Sequence, residues 1–171
     1  MIKGEKTEIS PVGQELLATW ALKTALMCQL MQDASVRNLP PSHYKELFQD
    51  RKPSRQMRVF AAYMRSPRYE PGVSPLEYRS IPSEASFHAP DGAAHKLWGV
   101  VVTLRIGYAV LQLMCVGPVG YNYEVKPAGF APYARQIWPA RDTTSWPPQP
   151  LESIDELDQF ADPLKSPKVV L

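Results

Sequence analysis

Proline is spread so unevenly along this chain that it divides the fold in advance. Of the 18 prolines, only Pro11 falls within the first 39 residues. Proline inside a helix removes a hydrogen bond and clashes with the preceding turn; inside a central strand it removes a ladder donor. The stretch before Pro40 therefore has room for a long helix, whereas most of the remainder is cut by prolines into pieces that suit strands, short helices and loops.

The opening stretch uses that room. From Pro11 to Asp33, Leu16, Leu17, Trp20, Ala21, Thr24, Met27, Cys28 and Met31 recur at three- and four-residue steps, the period of a helix that buries one face. Ser10 is a suitable N-cap, with proline at the first helical position. Lys23 lies three residues from Trp20, so its stem is expected to pack on the indole while the ammonium stays in water. The breaker Asn38-Leu39-Pro40-Pro41 leads into a second helix, expected from Pro41-Ser42 to Asp50 with Tyr44, Leu47 and Phe48 inward.

The period then changes to two. Met57, Val59, Ala61 and Tyr63 alternate through Gln56–Met64, which predicts a strand. Residues 66–75 hold three prolines and Gly72 and read as a loop. A strand within Glu77–His88 contains Pro82, which places it at a sheet edge or bulge. Leu97–Leu104 and Tyr108–Val116 predict a hairpin around Arg105-Ile106-Gly107, buried on both faces or covered by the helix. Arg105 near the centre of this apolar run argues against a membrane span.

From Pro118 onward there are nine prolines in 54 residues, one short strand at Ala134–Trp138, and a helix from Glu152 to about Ala161. The fold class is α+β: an N-terminal helical pair packed on a mostly antiparallel sheet of four or five strands, with a proline-rich C-terminal wrap. Residues 1–162 are expected to form one domain, with 163–171 as a flexible tail.

Composition removes several functions. Hydrophobic residues at 44% and charged residues at 21% exclude wholesale disorder. A net charge of +2 makes no case for a general polyanion binder. The 2 cysteines exclude a disulfide framework and a four-thiolate zinc site. The opening MIKGEKTEIS has no apolar region after its lysines, so a cytoplasmic location with Cys28 and Cys115 reduced is expected.

Catalytic motifs are sparse. His88, Asp91 and His95 are ligand types, but their spacing fits no strong metal template, and Pro90-Asp91-Gly92 is a turn signal. There is no nucleophile elbow, P-loop or dinucleotide fingerprint, and no cofactor is implied. The carboxylates of Glu152, Asp155 and Glu156 read as a solvated helix face.

The basic residues say more. Arg51, Lys52, Arg55, Arg58, Arg65 and Arg68 run without an acidic residue between them, interleaved with Phe60, Tyr63 and Tyr69. Arginine with aromatics suits phosphate contact and base stacking. An edge strand protected by positive charge is the plainer alternative. Residues 152–162 hold five of the 17 acidic residues, which leaves 12 acidic against 17 basic over residues 1–151 and makes one basic face reasonable.

Four short motifs occur in order: Trp20-Ala21-Leu22-Lys23-Thr24-Ala25, Leu104-Arg105-Ile106-Gly107, Gln136-Ile137-Trp138-Pro139 and Ser145-Trp146-Pro147-Pro148. In that order they resemble the C-terminal region of bacterial and phage HNH endonuclease-like proteins. The nuclease module of that group is missing, and none of its catalytic residues maps onto this chain. The resemblance implies a companion domain.

The leading expectation is a non-catalytic binding domain of phage or bacterial origin that engages nucleic acid or a nucleotide. Arg55, Arg58, Arg65 and Arg68 would meet phosphates, and Tyr63 or Tyr69 would stack on a base. The alternative is a protein-interaction module, such as a defence or counter-defence inhibitor, with arginine, tyrosine and tryptophan as interface anchors. No membrane partner is expected. A homodimer would place its seam on the Leu97–Val116 hairpin.

Overall fold

In a computed structural model, residues 5–55, 57–65, 76–88, 94–117, 124–126, 132–161 and 168–170 are described. Ser10 starts helix α1 (Pro11–Leu30) as expected: its Oγ accepts a hydrogen bond from the Gly13 amide at 3.2 Å, and Pro11 needs no partner there. A short strand β1 (Thr7–Ile9) precedes it, and helix α2 (Ser42–Asp50) follows. Arg51 closes α2 in the left-handed region at φ 59°.

The rotation of α1 about its axis differs from the sequence expectation. The face against the sheet is Gln14, Ala18, Ala21, Leu22, Ala25, Leu26 and Gln29. Leu16, Trp20, Met27 and Met31, expected inward, are exposed instead. Three alanines let the helix backbone approach the sheet closely. Both glutamines on that face are hydrogen-bonded, which offsets the cost of burying them. Gln14 Nε2 donates to the carbonyls of Ile9 and Asp142 at 2.8 and 2.6 Å, and Gln29 Oε1 accepts from the Leu39 amide at 2.9 Å.

In α2, Tyr44 and Leu47 pack on the core, and the Tyr44 hydroxyl donates to the Leu26 carbonyl at 3.3 Å. Phe48, also expected inward, is 70% exposed and carries the Arg51 guanidinium over its ring at 5.1 Å. Packing two of α2's apolar residues against α1 leaves the third on the outer flank.

The main sheet has six strands: β2 (Arg58–Met64), β3 (Leu76–His88), β4 (Ala94–Ile106), β5 (Ala109–Gly117), β7 (Ala134–Trp138) and β9 (Pro150–Leu151). The order is β3-β4-β5-β2-β7, all antiparallel, with β9 joining β2 in parallel beyond β7. Pro82 accordingly lies in an edge strand. The β4–β5 connection is the pair Gly107-Tyr108, one step later than the sequence suggested, with Ile106 opposite Ala109. Gly107 at φ 59° supplies the positive angle that a tight two-residue hairpin requires. Arg105 thereby belongs to β4, buried, with its guanidinium 3.3 and 3.4 Å from the Glu77 carboxylate oxygens on β3.

Two cores flank the sheet. Val59, Ala61, Val102, Leu104, Leu111 and Leu113 face α1, whereas Phe60, Ala62, Val101, Val110 and Met114 face the other way. That second face is closed by helix α3 (Ile154–Ala161) through Leu157 and Phe160. Ser153 Oγ accepts from the Glu156 amide at 3.1 Å, and the Glu156 carboxylate accepts from the Glu152 amide at 2.6 Å, fixing the start of α3. Two expectations change as a result. The basic run leads into an interior strand between β5 and β7, so it does not protect a sheet edge. The central hairpin residues are buried within the chain and offer no dimer seam.

The C-terminal wrap is partly strand. β8 (Thr144–Trp146) pairs antiparallel with β1, burying Trp146, while Trp138 Nε1 donates to the Ser54 carbonyl at 2.8 Å. β10 (Lys168–Val170), within the expected tail, pairs with β6 (Glu124–Lys126). Among the described residues, no helix is long and apolar enough to cross a membrane.

Candidate functional site

Among the described residues, those expected to form a basic-aromatic face are not brought to one place. Arg55 is exposed, and Arg58 Nη1 turns back to donate to the Arg55 carbonyl at 2.6 Å and the Met57 carbonyl at 3.2 Å. Tyr63 and Arg65 are at the far end of β2, roughly 20 Å away at the rise of a strand. Strand alternation also puts Arg58 and Tyr63 on opposite faces. Tyr63 is half-buried, stacked on Tyr108 at 5.8 Å between centroids and edge-on to Trp146 at 6.1 Å. Arg65 pairs with Glu152 at 3.1 Å, both exposed, a contact of little energetic weight. Arg68 and Tyr69 lie outside the described residues. The metal candidate also falls largely outside them. Asp91 is not described, and of His88 and His95 only the backbone is, with His88 opposite Ala94 and His95 opposite Phe87. Among the described residues, no group of three potential ligands converges to hold a metal.

A different surface stands out. Val12, Leu16, Trp20, Met27, Leu30 and Met31 form one stripe along the outward side of α1, 39% to 86% exposed, interrupted by Lys23 alone among charged residues. Phe48 continues the stripe onto α2. Between the two helices runs a groove of about 340 Å³, with Leu26, Leu30, Tyr44 and Leu47 along it and Lys23 and Arg51 at its rim. The face is contiguous, unlike the singly scattered apolar residues of an ordinary folded surface. One sequence signal could have found it: α1 is apolar around most of its circumference, more than one buried face needs.

Beneath the groove, polar groups are sealed rather than presented. Gln29 Nε2, Ser80 Oγ and the Tyr78 hydroxyl are buried without hydrogen-bond partners among the described residues. Burial pushes the Tyr78 hydroxyl up from its usual value, with Ser80 and Gln29 close enough to pull it partly back. Burial also raises Cys28, and on β5 it pushes the Cys115 thiol up to about 12, with the Glu46 carboxylate adding to the effect.

A raised folded-state pKa means that the unfolded chain loses its proton first. The stability from protonated Cys115 is full below about pH 9 and is lost as pH climbs toward 12. Between pH 8 and 10.5 the wild type should therefore lose about 2 kcal/mol more stability than Cys115→Ala, read by urea unfolding at both values. Equal losses would show that the thiol is not sealed. No protein-family model, curated protein or solved structure matches this chain.

Proposed function

We propose that the chain is a protein-interaction module that docks through the outward face of α1 and the groove beside α2. The observation that carries this is the stripe itself: large side chains held exposed on a long helix whose opposite side is anchored to the sheet. Rigid placement lowers the ordering cost of binding, and tryptophan, methionine and phenylalanine are residues that protein interfaces favour.

A photoreactive amino acid at Met27 should give protein adducts in a lysate of the native host, and the same probe at Ser153, beside α3, should not. Absence of any protein adduct from Met27 would remove the reading.

A second reading has a specific observation behind it. Arg51, Lys52 and Arg55 are all exposed in the connection from α2 to β2, and Lys52 and Arg55 form no ion pair among the described residues. They could meet the phosphates of a nucleic acid or nucleotide. Three such contacts would weaken oligonucleotide binding roughly 40-fold between 50 and 200 mM salt, with binding lost in the Lys52→Ala/Arg55→Ala double variant. Fluorescence anisotropy decides it: no binding at low salt removes this reading.

A further inference from the structure

Six exposed residues of α1 are spaced as a palindrome, with Leu30 of the same stripe outside it. Val12, Leu16 and Trp20 precede, and Lys23, Met27 and Met31 follow, a midpoint between Ala21 and Leu22, at steps of four, four, three, four and four residues. Reversing the helix about that midpoint lays these six positions onto one another. A two-fold interface demands a patch that is complementary to itself, and two-fold dimers are the commonest soluble assemblies.

We propose that this face binds a second copy of the chain, α1 packing antiparallel on α1 about a two-fold axis at that midpoint. The proposal rests on the docking reading above and names its partner. At the rise of an α-helix, Leu16 of one copy comes level with Met27 of the other, Val12 with Met31, and Trp20 with Lys23. Leu16 and Met27 lie nearest the centre line of the stripe, and their apolar contacts flank the Trp20–Lys23 contacts at the axis. Lys23 sits roughly 20° around the helix from Leu16, inside the stripe, so its stem covers apolar surface while its ammonium must reach past the contact to water. Antiparallel packing also sets opposite ends of the two helix dipoles side by side.

Area and charge favour this occupant. With Phe48, the stripe holds seven large apolar side chains, 39% to 86% exposed, enough for the apolar centre of a standard interface of roughly 800 Å² per partner. Lys23 is the one charged residue within the stripe, so it offers little pattern by which a charged foreign partner would be selected. Its symmetry is what a second copy can match.

Native mass spectrometry and sedimentation of the full chain should give a dimer that dissociates on dilution. Leu16→Glu should raise the dimer dissociation constant at least ten-fold with an unchanged circular dichroism spectrum, because Leu16 carries no fold contact of consequence. In a Cys28→Ser background, Leu16→Cys and Met27→Cys proteins should cross-link when oxidised together but not separately. Identical positions are about 17 Å apart along the antiparallel pair. Self-linking of either variant means a parallel or shifted pairing and overturns the proposal. So does a chain that stays monomeric at every concentration reached. If that monomer's Met27 probe still traps another protein, the docking face stands and only its partner changes; if it traps none, both readings fall. A monomer that binds lipid vesicles through Leu16 overturns both in favour of a membrane surface.

Discussion

Replacing Leu22 by alanine is expected to lower the unfolding free energy by about 2–5 kcal/mol, and the same change at Leu16 by about 0.5 kcal/mol or less. The two leucines lie in one helix, six residues apart, and only the rotation of α1 separates them. Leu22 is 0% exposed against the sheet, so truncation leaves a cavity that close-packed neighbours cannot fill. Leu16 is 66% exposed, and its removal opens no void. Urea unfolding at a protein concentration low enough to dissociate any dimer makes the comparison. Equal costs would mean that α1 faces the other way and that the stripe proposed for docking is core.

That rotation is where the sequence stopped being legible. The existence and start of α1 follow from Ser10, Pro11 and the lack of later breakers, and Pro82 marks β3 as an edge. The strand Ala134–Trp138 was readable from its residues alone. Which side of α1 turns inward was not, because apolar residues lie on both sides. Gln14 and Gln29 look like surface residues until their carbonyl and amide partners are known, and one partner of Gln14 lies 128 residues away. The spread of the described site residues along β2 has a related reason. A run of arginines is local in sequence, but a strand sends alternate side chains to opposite faces and spreads its ends apart. Arg58 and Tyr63 therefore could not share a ligand while both stood on β2.

Gln14 offers a second large effect and tests how the C-terminal wrap is held. Its side chain is 1% exposed, and its Nε2 donates to two carbonyls, Ile9 ahead of the helix and Asp142 in the segment between β7 and β8. Gln14→Leu keeps nearly the same volume but leaves both carbonyl oxygens facing apolar surface, at about 2–4 kcal/mol in total. Gln29→Leu should cost less. It loses one bond, to the Leu39 amide, but it also deletes a buried Nε2 that has no partner among the described residues. Hydrogen exchange should separate the two variants further. Because Gln14 ties α1 to the chain on either side of the β1–β8 pair, its loss should expose the amides of Thr144–Trp146 before those of the main sheet. If Gln14→Leu instead weakens every strand equally, the wrap opens only with the whole domain, and Trp146 and Ile9 belong to the same cooperative core as Leu22.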